Sequence, residues 1–461
     1  MSASQKRCMR KLGLQPLENR ELMAGDVAGV MAGTTLELTG DAKDNQIEVV
    51  QVAANTIEVI GHGGTTVNGN ASDLFVFSVL ENIQAEMNDG DDQVAFENLS
   101  LPGSLDVSTG RGHDDVKVHR GRANLATVNT GEDNDVVRFH SVNINDRTSI
   151  ETENGADKVN IYQLRTGELD VMTGYDNDKV DLERVRAGGM IQVGTDAGHD
   201  VVNMTNVRAQ GILVDNGIGN DRDTMRRVRA GQIDVYTGSD LDNLDMKEVR
   251  ANDININSLD GDDDISLSWV AANNHLRIDS GLQADNVSLD NVSACNLEVL
   301  TGSADDSVKM QNIRAKDIVV DTLDGDDVVA ASNVNVGNSF TTRTGEGDDV
   351  VEFDNIRADF TSGHVGIQLG QGNDSLRINR LFGNDIHIET CDGEDKVDAS
   401  WVIAVDELFV ELGDDDDSLA LEHSWNGGLR VIDGGNGFDT LVDQPNFFDE
   451  VGASVNFENI V

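Results

Sequence analysis

The sequence predicts an all-β chain, a right-handed parallel β-helix (β-solenoid) of about 17 coils with a short β-rich cap at the N-terminal end. Three observations carry this expectation. A short phrase ending in Asp recurs every 21 or 22 residues over most of the 461-residue chain, and periods of that size belong to stacked repeats. Between successive phrases, apolar residues alternate with polar ones, the period of strands with one buried face. Aromatic residues make up only 4% of the chain, which suits a thin core of Val, Ile and Leu.

The phrase reads T-G-x-G-x-D-x-V. One copy is Thr109-Gly110-Arg111-Gly112-His113-Asp114-Asp115-Val116, and another is Thr344-Gly345-Glu346-Gly347-Asp348-Asp349-Val350-Val351. Its last Asp falls at Asp92, Asp114, Asp135, Asp157, Asp178, Asp200, Asp221, Asp242, Asp263, Asp285, Asp306, Asp327, Asp349, Asp374, Asp395, Asp417 and Asp439, 17 copies in all. One step, from Asp349 to Asp374, is 25 residues.

The chain divides into four stretches. Residues 1–33 read as a leader with little regular structure. Lys6, Arg7, Arg10 and Lys11 lie there, but no unbroken apolar run follows to make a secretory signal. Residues 34–86 carry short strand-like runs, Thr35–Thr39, Gln46–Val52, Thr56–Ile60 and Asp73–Ile83, separated by Gly, Asn and Asp clusters. Gly40-Asp41-Ala42-Lys43-Asp44 is a degenerate copy of the phrase. This segment is expected to cap the first coil's edge, which would otherwise pair with another molecule.

The array occupies residues 87–443. Apolar residues sit two and four after the marker Asp, as in Val180 and Leu182, and again seven after, as in Val185, Val207 and Val228. An alternating pair closes the coil, as in Leu169/Val171 and Ile386/Ile388. Parallel crossovers are right-handed. At about 4.8 Å per coil the rod is roughly 80 Å long. Thr recurs in a column of its own, including Thr109, Thr130, Thr152 and Thr173. Two residues before the marker stands Gly in 11 coils and Asp in four, both tolerant of a left-handed turn. Residues 444–461 form a C-terminal cap. Phe457-Glu458-Asn459-Ile460 there repeats the theme of Leu80-Glu81-Asn82-Ile83.

Charge limits the partners. The chain carries 34 Lys and Arg against 84 Asp and Glu, a net charge of −50. Such a surface repels nucleic acid and anionic lipid and attracts cations. Cys8, Cys295 and Cys391 are odd in number and far apart, with no disulfide framework or zinc motif. No apolar run is long enough for a transmembrane helix.

Stacked carboxylates need a remedy. Neighbouring aspartates about 4.8 Å apart repel by roughly 0.9 kcal/mol at the dielectric of water, and by about 3.5 kcal/mol at an effective value of 20. The adjoining column adds Asp91, Asp305, Asp326, Asp348 and Asp416. Either the side chains splay into water or cations neutralise them. Calcium suits such a loop, because it takes six to eight oxygens with loose geometry.

Two resemblances extend this reading. The phrase resembles one nonapeptide of the RTX (haemolysin-type) repeat, G-G-x-G-x-D-x-U-x, most fully at Gly434-Gly435-Asn436-Gly437-Phe438-Asp439-Thr440-Leu441. The resemblance implies calcium held between coils by the Asp column and by loop carbonyls. The chain departs from RTX in having one phrase per coil. It also places Asn88, Glu153, Asp196, Leu259, Leu323 and Cys391 where the family has its second Gly. Near the N-terminus, Leu17-Glu18-Asn19-Arg20-Glu21-Leu22-Met23 is similar to the LEPR-XLL segment of exported planctomycete proteins, differing at Asn19 and Met23. It implies export to the cell surface or beyond.

Three other features have competing readings. Eight residues after the marker come Arg165, Arg186, Arg208, Arg229 and Arg250, then Arg314 and Arg357. They read either as a solvated turn, offset by carboxylates such as Glu183 and Glu248, or as a cationic stripe for acidic glycans or phosphates. Asp223 stands at an apolar position, with Arg222, Arg226 and Arg227 around it. A local register distortion is expected there rather than a catalytic carboxylate. His119 and His140 stack one coil apart, with His113 nearby, as exposed turn residues.

The expectation is a non-enzymatic, exported calcium-binding repeat protein with a structural, adhesive or matrix role. Its partners would be calcium, surface glycans or other surface proteins. The alternatives are a polysaccharide-active enzyme of the pectate-lyase kind and a metal-independent spacer. An enzyme would need walls around a cleft, and the one insertion, around Asp359–His364, is about four residues long.

Overall fold

The computed structural model describes residues 24–443 and 452–460. The Leu17–Met23 segment, the basic cluster before it, and Cys8 lie outside the described residues. Among those described, every regular element is a strand. They stack as a β-solenoid of about 17 turns.

One coil shows how sequence becomes shape. After Asp178 the strand Lys179–Glu183 buries Val180 and Leu182 and turns Lys179, Asp181 and Glu183 outward. Arg184 then takes a positive φ of 57° and bends the chain. Val185 dips into the core, the short strand Arg186–Ala187 follows, and a second strand, Met190–Gly194, buries Ile191 and Val193. Thr195 is buried, and the loop returns the chain to Asp200, one coil higher. Each fully buried Val, Leu or Ile contributes about 1.5–3 kcal/mol. No coil closes a core alone, so stability resides in stacking.

Register is strict. Lys179–Glu183 pairs in parallel with Val201–Thr205, and Met190–Gly194 with Gly211–Asp215. The 25-residue step leaves that register intact, with Val350 opposite Ser375. Its extra residues close on themselves, where the Thr361 amide donates to Asp359 Oδ1 and the Gly363 amide to the Asp359 carbonyl.

Three tight corners recur. Four and two residues before the marker, the backbone is left-handed in most coils, as at Gly110 (φ 99°) and Gly112 (φ 130°). Non-Gly residues bear the same conformation at Asn88, Glu153, Asp196, Leu259, Leu323 and Cys391, with φ between 57° and 75°. Close stacking explains the preference for Gly, since a Cβ on Gly219 would lie 1.5 Å from the Gly198 carbonyl oxygen. The third corner, six after the marker, is often Asn, as at Asn98, Asn206, Asn291 and Asn312.

The N-terminal cap begins earlier than its sequence suggests. Asp26–Ala32, which the sequence places in the leader, forms a strand antiparallel to Thr35–Thr39. Gln46–Ala53 and Thr56–Gly61 form a second antiparallel pair, extended by Ser72–Val76. Gln46–Ala53 also pairs in parallel with the first array strand, Gln93–Glu97, and Thr35–Thr39 with Asn82–Glu86, the last strand of the cap. At the other end, Gly452–Val455 and Asn459–Ile460 add onto Leu429–Asp433 and Thr440–Asp443. Pro445, Phe447 and Phe448 lie outside the described residues.

Candidate functional site

The structure brings all 17 marker aspartates into one column, and it buries them. Their exposure runs from 0% at Asp92 to 3% at Asp221, so they do not splay into water. Each Oδ1 accepts the backbone N–H of the marker Asp one coil earlier. Thus the Asp92 amide donates to Asp114 Oδ1, Asp114 to Asp135, and Asp327 to Asp349, at 2.8 Å each. The same bond recurs at every step to Asp439.

The column is capped at both ends by residues that fit its pattern. Asn45 stands at the marker position of the degenerate phrase, and its amide donates to Asp92 Oδ1 at 2.7 Å. Beyond Asp439 no further marker Asp follows among the described residues, and Glu458 Oε2 accepts the Asp439 amide at 2.9 Å.

The adjoining column, one residue before the marker, runs the opposite way. There the lower residue's side chain accepts the amide of the upper coil. Asp305 Oδ1 takes the Asp326 amide, Asp326 Oδ1 the Asp348 amide, and Asp348 Oδ1 the Asn373 amide, at 2.7–3.0 Å. Asn134, Asn177 and Asn220 do the same with their amide oxygens, and His113 and His199 with Nδ1. Asp, Asn and His interchange because each presents an acceptor at the same reach. Read from spacing alone, this column is only added repulsion. The recurring Asn and His are the signal that it is a hydrogen-bond ladder.

The second oxygen of each marker carboxyl is left over. Oδ2 is buried and without a protein hydrogen-bond partner at all 17 markers, from Asp92 to Asp439. The Thr column stands beside the carboxyls: the Thr109 hydroxyl, whose hydrogen bond runs to the Thr130 carbonyl at 3.2 Å, also favours the charged form of Asp114. Burial still pushes the carboxyls up, to about 8 at Asp92, Asp135 and Asp178 and about 6 at Asp114 and Asp157. The Thr hydroxyls and the donated amides act against that rise, and neighbouring carboxylates add to it in most coils.

This donor set meets calcium only in part. Oδ1 is committed to an amide, and loop carbonyls accept the amides of the next coil, as Gly217 does from Ser239 at 3.1 Å. One free buried oxygen per coil falls short of the six to eight that calcium takes. Full coordination would require loop carbonyls to exchange their bonds between coils for the ion. Among the described residues, no group of three or more His, Cys, Asp or Glu is arranged to hold a metal.

The remaining candidates resolve one by one. Asp223 shows no register distortion, because it sits squarely between Val202 and Leu244. Its carboxyl points into the core and is 1% exposed. Asn216, standing in the Thr column of the same coil, donates to Asp223 Oδ1 at 3.0 Å. Burial lifts Asp223 to about 7. The exchange of Thr for Asn supplies the donor that a buried carboxyl needs, a pairing that sequence spacing alone did not expose.

His119 and His140 do stack, at 4.8 Å between ring centres, and Tyr162 continues the stack at 5.1 Å. They lie in strands rather than turns. His119 also meets Glu97 at 2.7 Å. His113 belongs instead to the acceptor ladder. The Arg column is in register, and its expected partners are taken elsewhere. Glu183 lies 3.6 Å from Arg184, and Glu248 lies 3.1 Å from Arg227.

No helix among the described residues is long and apolar enough to cross a membrane. No protein-family model matches the chain, and neither a curated protein nor a solved structure matches it at a significant level.

Proposed function

We propose that the chain is a non-enzymatic structural module, an extended acidic rod that sets distances and presents a surface outside the cell. The unbroken ladder from Asn45 to Glu458 carries this reading. Each coil commits its most chemically suggestive residue, a buried Asp, to holding its neighbour. The resemblance of Leu17–Met23 to an export segment supports the location. Small-angle scattering tests the proposal. The protein in chelator should be a monodisperse rod roughly 80 Å long, and a compact or unfolded particle would overturn the reading.

The orphaned Oδ2 atoms favour a second reading, in which calcium joins the coils. Marker aspartates would then hold the ion, together with loop carbonyls released from their present bonds. Calcium bound to the folded state alone raises the melting temperature. Thermal melts in chelator and in millimolar calcium would differ by many degrees on this reading, and would coincide if protons alone neutralise the column.

A further inference from the structure

The Arg column lies where the rod has almost no acid. Arg165 pairs in register with Arg186, Arg186 with Arg208, Arg208 with Arg229 and Arg229 with Arg250. All five are exposed. Among the described residues, none of the five has a carboxylate within salt-bridge distance or a side-chain hydrogen bond. This contrasts with Arg111, Arg138, Arg226, Arg277 and Arg380, each of which meets an Asp or Glu.

These arginines line a shallow furrow between the third corner and the short strand after it. Two stretches of about 710 Å³ each lie along it. The chain has 84 acidic residues, yet among the described residues the only acid lining either stretch is Glu248, already paired with Arg227. Arg120, Arg122, Arg184 and Lys247 add further positive charge. Trp269 forms one wall and is 59% exposed.

Five like charges stacked one coil apart repel one another, and nothing among the described residues offsets them. Folding does not require Arg in this column, because Ser100, Asn143, Ser293 and Asn335 fill it in other coils. The column therefore destabilises the fold unless an anion neutralises it. Guanidinium groups take carboxylates and sulfates in bidentate fashion.

We propose that this furrow binds a linear acidic polysaccharide, its anionic groups meeting successive arginines and a sugar face lying against Trp269. The repeat along the rod, about 4.8 Å, differs from the roughly 3.4 Å rise between phosphates of one duplex DNA strand. The formal charge of −50 over the whole chain also opposes the dense charge of duplex DNA more than the sparser charge of a polyuronate. The proposal rests on the reading of the rod as a surface module, and it gives that module a partner.

The test uses the full chain in chelator, with polygalacturonate, heparin, neutral dextran and duplex DNA as probes. Polygalacturonate or heparin should bind, more weakly as salt is raised, and dextran should not. Polygalacturonate carries carboxylates alone and heparin both carboxylates and sulfates, so binding of heparin without polygalacturonate assigns recognition to sulfate. Arg186→Ser/Arg208→Ser/Arg229→Ser should weaken binding by at least about tenfold. Arg138→Ser, outside the furrow, should leave it unchanged. Should the triple variant unfold, Arg208→Ser alone is read in its place, with a smaller loss expected. Scattering on the same samples separates the two ideas. An intact rod that binds neither acidic glycan, binds equally well without the arginines, or prefers DNA overturns the furrow proposal alone. A sample that is not a rod overturns both.

Discussion

The backbone amide of Asp327 donates to Oδ1 of Asp349 at 2.8 Å, and Oδ1 of Asp327 in turn accepts the amide of Asp306. Every interior marker thus both gives and receives. Asp327→Ala should leave the Asp306 amide buried without an acceptor, a loss of about 1–3 kcal/mol. Asp327→Asn keeps an acceptor and removes a charge, so in chelator at pH 8 it should match or exceed the parent. If calcium holds the column, Asn should instead lower the melting temperature with calcium present. Melts of the two variants, with and without calcium, check this.

Dependence on pH follows from the raised carboxyls. Burial, the largest cause, lifts Asp92 from 3.8 to about 8 and Asp327 from 3.8 to about 7. Between 3.8 and those values the folded chain binds more protons than the unfolded one, so stability falls as pH rises. In chelator the melting temperature should decline steadily from about pH 5 to pH 8. A flat or rising profile would show that the column is not protonated in the fold.

Asp223 offers a cleaner case, because one coil alone carries it. Its column neighbours are Val202 and Leu244. Asp223→Leu with Asn216→Thr restores the common pattern of the repeat and removes a buried polar pair. Replacing such pairs by packed apolar groups is often stabilising by about 1–4 kcal/mol. The double variant should melt higher than the parent, and the gain should grow from pH 5 to pH 8 as Asp223 would otherwise ionise. Asp223→Leu alone should gain less, since it strands the Asn216 amide.

Whole-coil deletion tests the nearest-neighbour character of the stack. Removing residues 286–306 brings Asp327 to the place of Asp306, where its Oδ1 can accept the Asp285 amide. A folded, slightly shorter rod is expected. Removing residues 34–86 should be worse, because it strips Asn82–Glu86 and Gln46–Ala53 from the first array strands and bares their edge. Light scattering should show aggregation of the cap deletion and not of the coil deletion. A monomeric cap deletion would mean that the edge is protected by other residues.

Much of the fold was legible because stacking writes itself into sequence at a fixed period. The apolar offsets of Val180, Leu182 and Val185 placed the buried face, and the structure agrees. The column of marker aspartates was equally plain. Its environment was not, because whether a loop carboxylate turns outward or folds under the loop depends on three-dimensional reach. The bond from Asp92 to Asp114 spans 22 residues and links a backbone atom to a side chain, a contact that periodicity does not record. Asp26–Ala32 was missed for a related reason. Its alternation is weak in Val27-Ala28-Gly29-Val30, and its strand partner, not its own propensity, fixes it.

Among the described residues, Glu458 is the sole side chain holding the Asp439 amide, and that has a mechanical meaning. A rod pulled from its C-terminal end meets this last rung first. Once it gives way, the next coil is exposed to the same load, so the structure should unspool one turn at a time rather than break across its middle. Each 21- or 22-residue coil that peels off frees about 70 Å of extended chain in exchange for about 4.8 Å of rod. Under tension such a rod should lengthen many times over before its N-terminal coils are disturbed.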